Sequence, residues 1–330
     1  MLSFFPNVRS STPGAFVPAV GAVPTPGYRL RCLRGRGGFA EVWESDSPAG
    51  PVALKFMPSS NTGSTARELR SVHSFRNLEH PYLVKTHGTW TVPGYIVVSM
   101  ELAEATLLDL LTLYHNDLHQ PFDPQVLCLY LWQVAEALDH LNGHTHLRDG
   151  RKVGFQHGDV KPNNILLFGD VAKLTDYGLA TSMHMNSVPC SRQGTRDYAG
   201  PEVFCGTMTD WSDQYSLAVT YYALRAGALP FPPAGKPENT ARSTVRPLAD
   251  LSGATEPERS PLLRALSPIP SNRFGTCREF MAAMLAALRL RVEHAPDGKV
   301  RVVKEAAKSY SGSGAIARPA SAVGIFDTPK

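Results

Sequence analysis

The sequence predicts an α+β protein of two unequal lobes, a small β-rich one with a single helix followed by a larger, mostly helical one. Two observations carry this reading. From Tyr28 to Leu102 the apolar residues fall in short β-type runs, Glu41 to Glu44, Val52 to Phe56 and Tyr95 to Met100, interrupted by one helical stretch around Ser64 to Leu78. Beyond Leu102 the three- and four-residue spacing of amphipathic helices takes over. A length of 330 residues suits two packed units whose core needs neither disulfide nor metal.

The flanks differ in texture. Residues 1–27 carry Pro6, Pro13, Pro18, Pro24 and Pro26 among Gly, Ser and Ala, a composition that sustains neither helix nor ladder hydrogen bonds, and a disordered leader is expected there. Met1 to Pro6 lacks the basic start and continuous apolar core of a secretory signal. Residues 293–330 are expected to form a flexible tail, most clearly from Ser309 onward, where Ser, Gly, Ala and Pro dominate. The folded unit is then 28–292, divided into lobes at 28–102 and 103–292.

In the second lobe, Val126, Leu127, Tyr130, Leu131, Val134, Leu138 and Leu141 recur at helical steps, with Asp123 and Pro124 placed as N-cap and first-turn residues. Further helices are expected over Trp211 to Arg225 and Cys277 to Leu290. Short strand signals lie between them at Val153 to Gln156, Ile165 to Phe168 and Ala172 to Thr175. Asp149-Gly150, flanked by Leu147-Arg148 and Lys152-Val153, predicts a hairpin excursion within Gly143 to Gln156. His140, His144, His146 and His157 cluster nearby, but no cysteine or paired carboxylate completes a metal shell.

Gly35, Gly37 and Gly38 in GRGGFAEVW let backbone amides approach phosphate oxygens without a Cβ in the way. The pattern Gly35 to Ala40 also satisfies a dinucleotide-binding fingerprint, and a plain hairpin is the third reading. The alternating Glu41-Val42-Trp43-Glu44 decides for two strands joined by a phosphate-covering turn, since a dinucleotide fingerprint opens a helix. Next comes Val52-Ala53-Leu54-Lys55, a lysine at the end of an apolar run and so placed for the α- and β-phosphates of a nucleotide. Glu68, in the helical stretch, is the candidate carboxylate to hold it, with Glu79 the other carboxylate nearby.

His157-Gly158-Asp159-Val160-Lys161-Pro162-Asn163-Asn164 resembles the catalytic loop of eukaryotic-like serine/threonine protein kinases, in the bacterial-type form with His-Gly-Asp. Asp176-Tyr177-Gly178 resembles the metal-binding element of that family, Gly194 to Glu202 its substrate-binding segment, and Ser212-Asp213 with Tyr215-Ser216-Leu217 the start of its central helix. The resemblance spans roughly Tyr28 to Leu290. It implies a bilobal protein kinase-like fold and ATP-dependent phosphorylation of serine or threonine on protein substrates, with autophosphorylation included. In that reading Asp159 accepts or orients the substrate hydroxyl proton, Lys161 sets positive charge beside the γ-phosphate, and Thr195 belongs to the same catalytic group. Asn164 and Asp176 hold Mg²⁺, with Mn²⁺ as the substitute. Met100, Glu101 and Ala103 form the gatekeeper and hinge for adenine, sandwiched by Val42, Ala53 and Leu166.

The loop resembles small-molecule phosphotransferases as well, and Lys161 together with Thr195 is what turns the comparison toward protein substrates. An interaction module that keeps the fold without turnover is the other alternative; retention of Lys55, Asp159, Asn164 and Asp176 speaks against it. Gly158 stands where the family usually has arginine, which removes the cation that would hold a phosphorylated activation loop. The segment Leu179 to Gln193 is therefore expected to reach its active shape unphosphorylated. Glu202 and Arg273 resemble the ion pair that pins the substrate segment to the second lobe; as a surface pair it would contribute only about 0–1 kcal/mol.

Composition adds exclusions. A hydrophobic share of 43%, a charged share of 19% and a net charge of +4 favour neither a wholly disordered chain nor an electrostatic nucleic-acid binder. Cys32, Cys128, Cys190, Cys205 and Cys277 are odd in number and widely spaced, which argues for a reducing cytoplasm. No apolar stretch reaches the ~20 residues a membrane helix needs.

Overall fold

Alternation along β3 (Val52–Pro58) sets the architecture of the first lobe. Val52, Leu54 and Phe56 point to one face of its sheet, while Ala53, Lys55 and Met57 point to the other. The first set packs with Leu30, Trp43, Val92 and Val97 in an outer core; Ala53 and Met57 enter two smaller clusters on the inner side. The sheet is antiparallel with strand order β1-β2-β3-β5-β4, where β1 is Arg29–Arg36, β2 Glu41–Asp46, β4 Thr86–Val92 and β5 Tyr95–Glu101.

The computed structural model describes residues 14, 16–37, 40–59, 78–148, 150–176, 180–190, 195–232, 247–296 and 298–305. The helix expected around Ser64 to Leu78, with Glu68, lies outside them except for Leu78, as do Gly38, Tyr177, Gly178 and the tail from Ala306.

The leader expected over 1–27 is corrected for residues 16–27, which are packed on the outer face of the sheet. Phe16 stacks on Phe56 with centroids 5.8 Å apart, and Tyr28 lies 5.1 Å from Trp90. The Phe16 N–H donates to Pro93 O at 2.7 Å, Gly21 N–H to Leu30 O at 2.8 Å and Leu30 N–H to Ala22 O at 2.9 Å. Proline excludes regular ladders but not side-chain cover, and an apolar outer face needs cover.

The second lobe begins with β6 (Ala105–Thr106) and a short helix α1 (Leu107–Thr112). Its axis is α2 (Pro124–Asn142), capped by the Asp123 carboxylate, which accepts from Gln125 N–H at 2.8 Å as the sequence predicts. Leu127, Leu131, Val134, Leu138 and Leu141 on α2 are fully buried. The expected hairpin follows as β7 (His146–Arg148) and β8 (Arg151–Gln156), with Gly150 at φ 76°. Of the hairpin, His146 meets His140 of α2 edge-on at 5.1 Å, and His140 in turn stacks on His80, ahead of β4, at 4.8 Å. Burial, with the neighbouring His140, brings the His80 imidazole down to about 4.

Strands β9 (Ile165–Phe168) and β10 (Val171–Leu174) form a hairpin against β6, and β11 (Thr181–Met183) adds to β8. Then come β12 (Ser187–Pro189), the single-turn helix α3 (Pro201–Phe204) and β13 (Thr207–Thr209), which pairs with β12. Helix α4 (Ser212–Ala226) is buried on nearly every side and ends on Gly227 in the left-handed region at φ 69°. Helix α5 (Glu256–Ala265) escaped the sequence reading because Pro257 and Pro261 break the pattern; a Thr255–Glu258 capping box starts it nonetheless. Helix α6 (Cys277–Ala287) packs beside α2.

The tail expected from residue 293 is corrected as well. The chain folds back as β14 (Leu290–His294) and β15 (Val300–Lys304), with Val300 and Val302 buried and Gln125 Nε2 donating to Val302 O at 2.8 Å. Val300 and Val302 alternating with Arg301 are a strand signal that the polar turn before them obscures. Among the described residues no helix is long and apolar enough to cross a membrane.

Candidate active site

Strand β8 delivers the chain to His157, which is fully buried and whose Nε2 lies 2.9 Å from Thr175 O. The carboxylate of Asp213, in the first turn of α4, accepts from His157 N–H at 2.6 Å and from Gly158 N–H at 2.8 Å. Burial pushes the Asp213 carboxyl above its ordinary range, partly offset by His157 and these two N–H donors. Gly158 sits at φ 77°, a backbone state that costs other residues energy. Helix α4 thus fixes the turn from which Asp159 projects.

Around Asp159 the polar groups converge. Its Oδ2 accepts from Lys161 Nζ at 2.8 Å and from Asn164 Nδ2 at 2.9 Å, and its Oδ1 accepts from Thr195 N–H at 3.0 Å. Lys161 Nζ also reaches Thr195 Oγ1 at 2.6 Å, and Asn164 Nδ2 reaches Asp159 O at 2.8 Å. A single turn of 3-10 helix over Pro162–Asn164 brings Asn164 back to the aspartate. Burial alone pushes the Asp159 carboxyl up; the hydrogen bond and charge of Lys161 and the donors of Thr195 outweigh it and hold the group below its ordinary value.

Across the cleft, Lys55 Nζ lies 3.1 Å from Asp176 Oδ1. The lysine charge is the main cause that keeps the Asp176 carboxyl below its ordinary range, against burial. Asp176 has φ 69°, which turns its side chain out of the strand direction of β10. Ala53, Val84 and Met100 form a buried cluster with Val42, Leu102, Leu166 and Phe168 packed against it. Val42, Ala53 and Leu166, expected to enclose adenine, thus lie in one cluster with Met100. Val84, Leu102 and Phe168 were missed; Phe168 was legible as the i+2 neighbour of Leu166 on one strand face.

The connector between the lobes carries Glu101 and Ala103. Glu101 is held by its side chain, which accepts from Lys173 Nζ at 2.7 and 2.8 Å and from Lys85 N–H at 2.8 Å. The Ala103 N–H has no partner among the described residues. Gly35 faces Val42 across the β1–β2 ladder, and Gly37 N–H donates to Ala40 O at 2.8 Å to close the turn.

Glu202 and Arg273 meet in a bidentate pair, both contacts at 2.8 Å, with the two side chains 8% and 0% exposed. Arg273 also donates to Trp211 O and Ser267 O and lies over the Tyr215 ring. The ion pair expected from the family resemblance is present, and it is buried: an anchor between the substrate segment and the stretch before α6. Of the predicted site residues, Asp159, Lys161, Asn164 and Thr195 form one cluster, Lys55 and Asp176 another, and Val42, Ala53 and Leu166 a third. Gly38 and Glu68 lie outside the described residues.

Asp159 is thus ringed by Lys161, Asn164 and Thr195, while Lys55 of the first lobe pairs with Asp176 of the second. Residues 28–289 match the model of the family described as "Protein kinase domain", and the chain belongs to that family. Its members use ATP and a divalent metal and act on protein substrates. CBL-interacting protein kinase 4 of Oryza sativa subsp. japonica is 31% identical over 260 residues, covering 74% of this chain and 54% of that protein. The serine/threonine-protein kinase PknE of Mycobacterium bovis is 30% identical over 278 residues, 79% of this chain and 46% of that protein. The serine/threonine-protein kinase PknD of Mycobacterium tuberculosis is 30% identical over 298 residues, 84% of this chain and 42% of that protein. The chain spans about half the length of these relatives. The crystal structure of the Mycobacterium tuberculosis PknI kinase domain shares the fold, with a TM-score of 0.61, 24% identity, and coverage of 82% of this chain and 100% of that one.

Proposed function

We propose that the chain is an active serine/threonine protein kinase that transfers the γ-phosphoryl group of ATP to a protein hydroxyl. The observation that carries this reading is the fixing of Asp159 by Lys161, Asn164 and Thr195 within 3.0 Å. A carboxylate so held is kept ionised and oriented toward a substrate hydroxyl, while Lys161 offers positive charge to the transferring group. Lys55 binds the α- and β-phosphates, and Val42, Ala53 and Leu166 enclose the base beside the backbone of Glu101 and Ala103.

The donor set suits Mg²⁺, with Mn²⁺ as the alternative. The Asn164 amide spends its nitrogen on Asp159, so its oxygen is the atom left for a hard cation, and Asp176 adds a carboxylate. When bound, the ion neutralises phosphate charge. The contact of Lys161 Nζ with Thr195 Oγ1 at 2.6 Å supports protein over small-molecule acceptors, because it ties the catalytic loop to the segment that lies beside a bound peptide. A cytoplasmic setting for the catalytic unit rests on the cysteine spacing alone.

The test is radiolabel transfer from ATP to a generic basic protein with Mg²⁺ or Mn²⁺. Transfer by the wild type and none by Asp159→Asn supports the proposal. Intact nucleotide binding without transfer by the wild type gives the interaction-module reading instead, and stimulation of ATP turnover by metabolites but not peptides gives the small-molecule one.

A further inference from the structure

Strand β1 is irregular where it nears the nucleotide cleft. Leu33 pairs with Trp43 and Gly35 with the next residue of β2, Val42, so Arg34 is an extra residue with no opposite number. A bulge of this kind re-aims the side chain it carries. Arg34 Nη2 donates to Ala103 O at 3.3 Å and to Glu104 O at 3.0 Å, and its Nη1 lies 3.6 Å from Glu44 Oε2 on β2. One guanidinium therefore ties the strand entering the glycine turn to the connector between the lobes, 69 and 70 residues further along the chain. The bonds fall on the carbonyls of Ala103 and Glu104, and the Ala103 N–H stays without a described partner.

We propose that Arg34 is a positioning residue that latches β1 and its glycine turn to the connector over a bound nucleotide, and so sets how fast the nucleotide leaves. The inference rests on the reading of this cleft as a nucleotide site. Arginine suits the task because its rigid fork presents donors on separate nitrogens, Nη2 to the two carbonyls and Nη1 toward Glu44; a lysine gathers its three donors on one flexible nitrogen. The latch stands at the mouth of the cleft, not among the phosphate-binding groups, so its loss acts on opening more than on chemistry. The contacts are partly exposed, and hydrogen bonds of this kind correspond to an acceleration of about 3- to 30-fold on removal.

The experiment is stopped-flow displacement of a fluorescent N-methylanthraniloyl-ADP from the full chain by excess ATP, in wild type, Arg34→Leu, Arg34→Lys and Glu44→Gln. Expected are dissociation about 3- to 30-fold faster in both Arg34 variants, a smaller rise in Glu44→Gln, a raised KM for ATP and a nearly unchanged kcat where chemistry limits turnover. Wild-type dissociation rates in the Arg34 variants overturn the latch, and a lowered melting temperature with unchanged dissociation does the same by reducing Arg34 to a structural role in β1. Failure of the wild type to bind the analogue removes the nucleotide reading itself, a separate result from failure of the latch.

Discussion

Lys55 Nζ lies 3.1 Å from Asp176 Oδ1 although 121 residues separate the two in the chain. β3 of one lobe and the chain just after β10 of the other thus meet through this charge pair. Removal of either partner deletes this pair where phosphates must bind. Lys55→Met and Asp176→Asn are each expected to lower phosphoryl transfer by at least about 10²-fold while leaving circular dichroism native. Undiminished activity in either variant would remove the role assigned to that residue.

The pH dependence of Asp159 has a defined sign. Its carboxyl is held below the ordinary 3.8 by Lys161 and Thr195 against the effect of burial. The ionised form therefore contributes stability that is fully present above the ordinary value and lost as pH falls through the lowered one. In Lys161→Met burial is left less opposed, so the acid limb of the kcat/KM profile moves to higher pH and kcat falls about 10²-fold or more. A profile with its acid limb unmoved would detach Lys161 from Asp159.

Breaking the Glu202–Arg273 pair leaves a buried charge behind. Arg273→Met is expected to cost about 3–5 kcal/mol in urea unfolding, far beyond the figure for a surface pair. A loss under about 1 kcal/mol would return the pair to the surface class.

The cover over the first sheet makes its own prediction. Phe16→Ala removes a ring stacked on Phe56 and should destabilise by about 1–2 kcal/mol, read from the melting temperature. A chain begun at Tyr28 should lose at least as much, since Ala22 and the backbone bonds to Leu30 and Pro93 go too. Equal stability of the shortened chain would show the segment to be dispensable.

Gly158 leaves the catalytic aspartate without a neighbouring arginine to bind a phosphorylated loop. Phosphatase treatment of the purified protein is accordingly expected to leave its activity unchanged, measured by peptide phosphorylation before and after treatment. Loss of activity on dephosphorylation would place the control in the segment after Asp176.

What the sequence made legible was local and chemical. The spacing from Asp159 to Lys161 and Asn164, the lysine after Val52-Ala53-Leu54 and the cap at Asp123 are read within a few residues, because turn chemistry and periodicity act at that range. The hairpin at Gly150 was visible for the same reason. Tertiary structure alone decided the rest. Asp213 reaches His157 and Gly158 from 56 and 55 residues away, and Glu202 meets Arg273 across 71. The fate of Phe16 and Val302 depended on apolar faces of β3 and α2 that their own neighbourhoods do not announce. Composition set residues 16–27 and 293–305 apart from the folded unit, yet burial is settled by the surface a segment meets, and that surface exists only once the two lobes have folded.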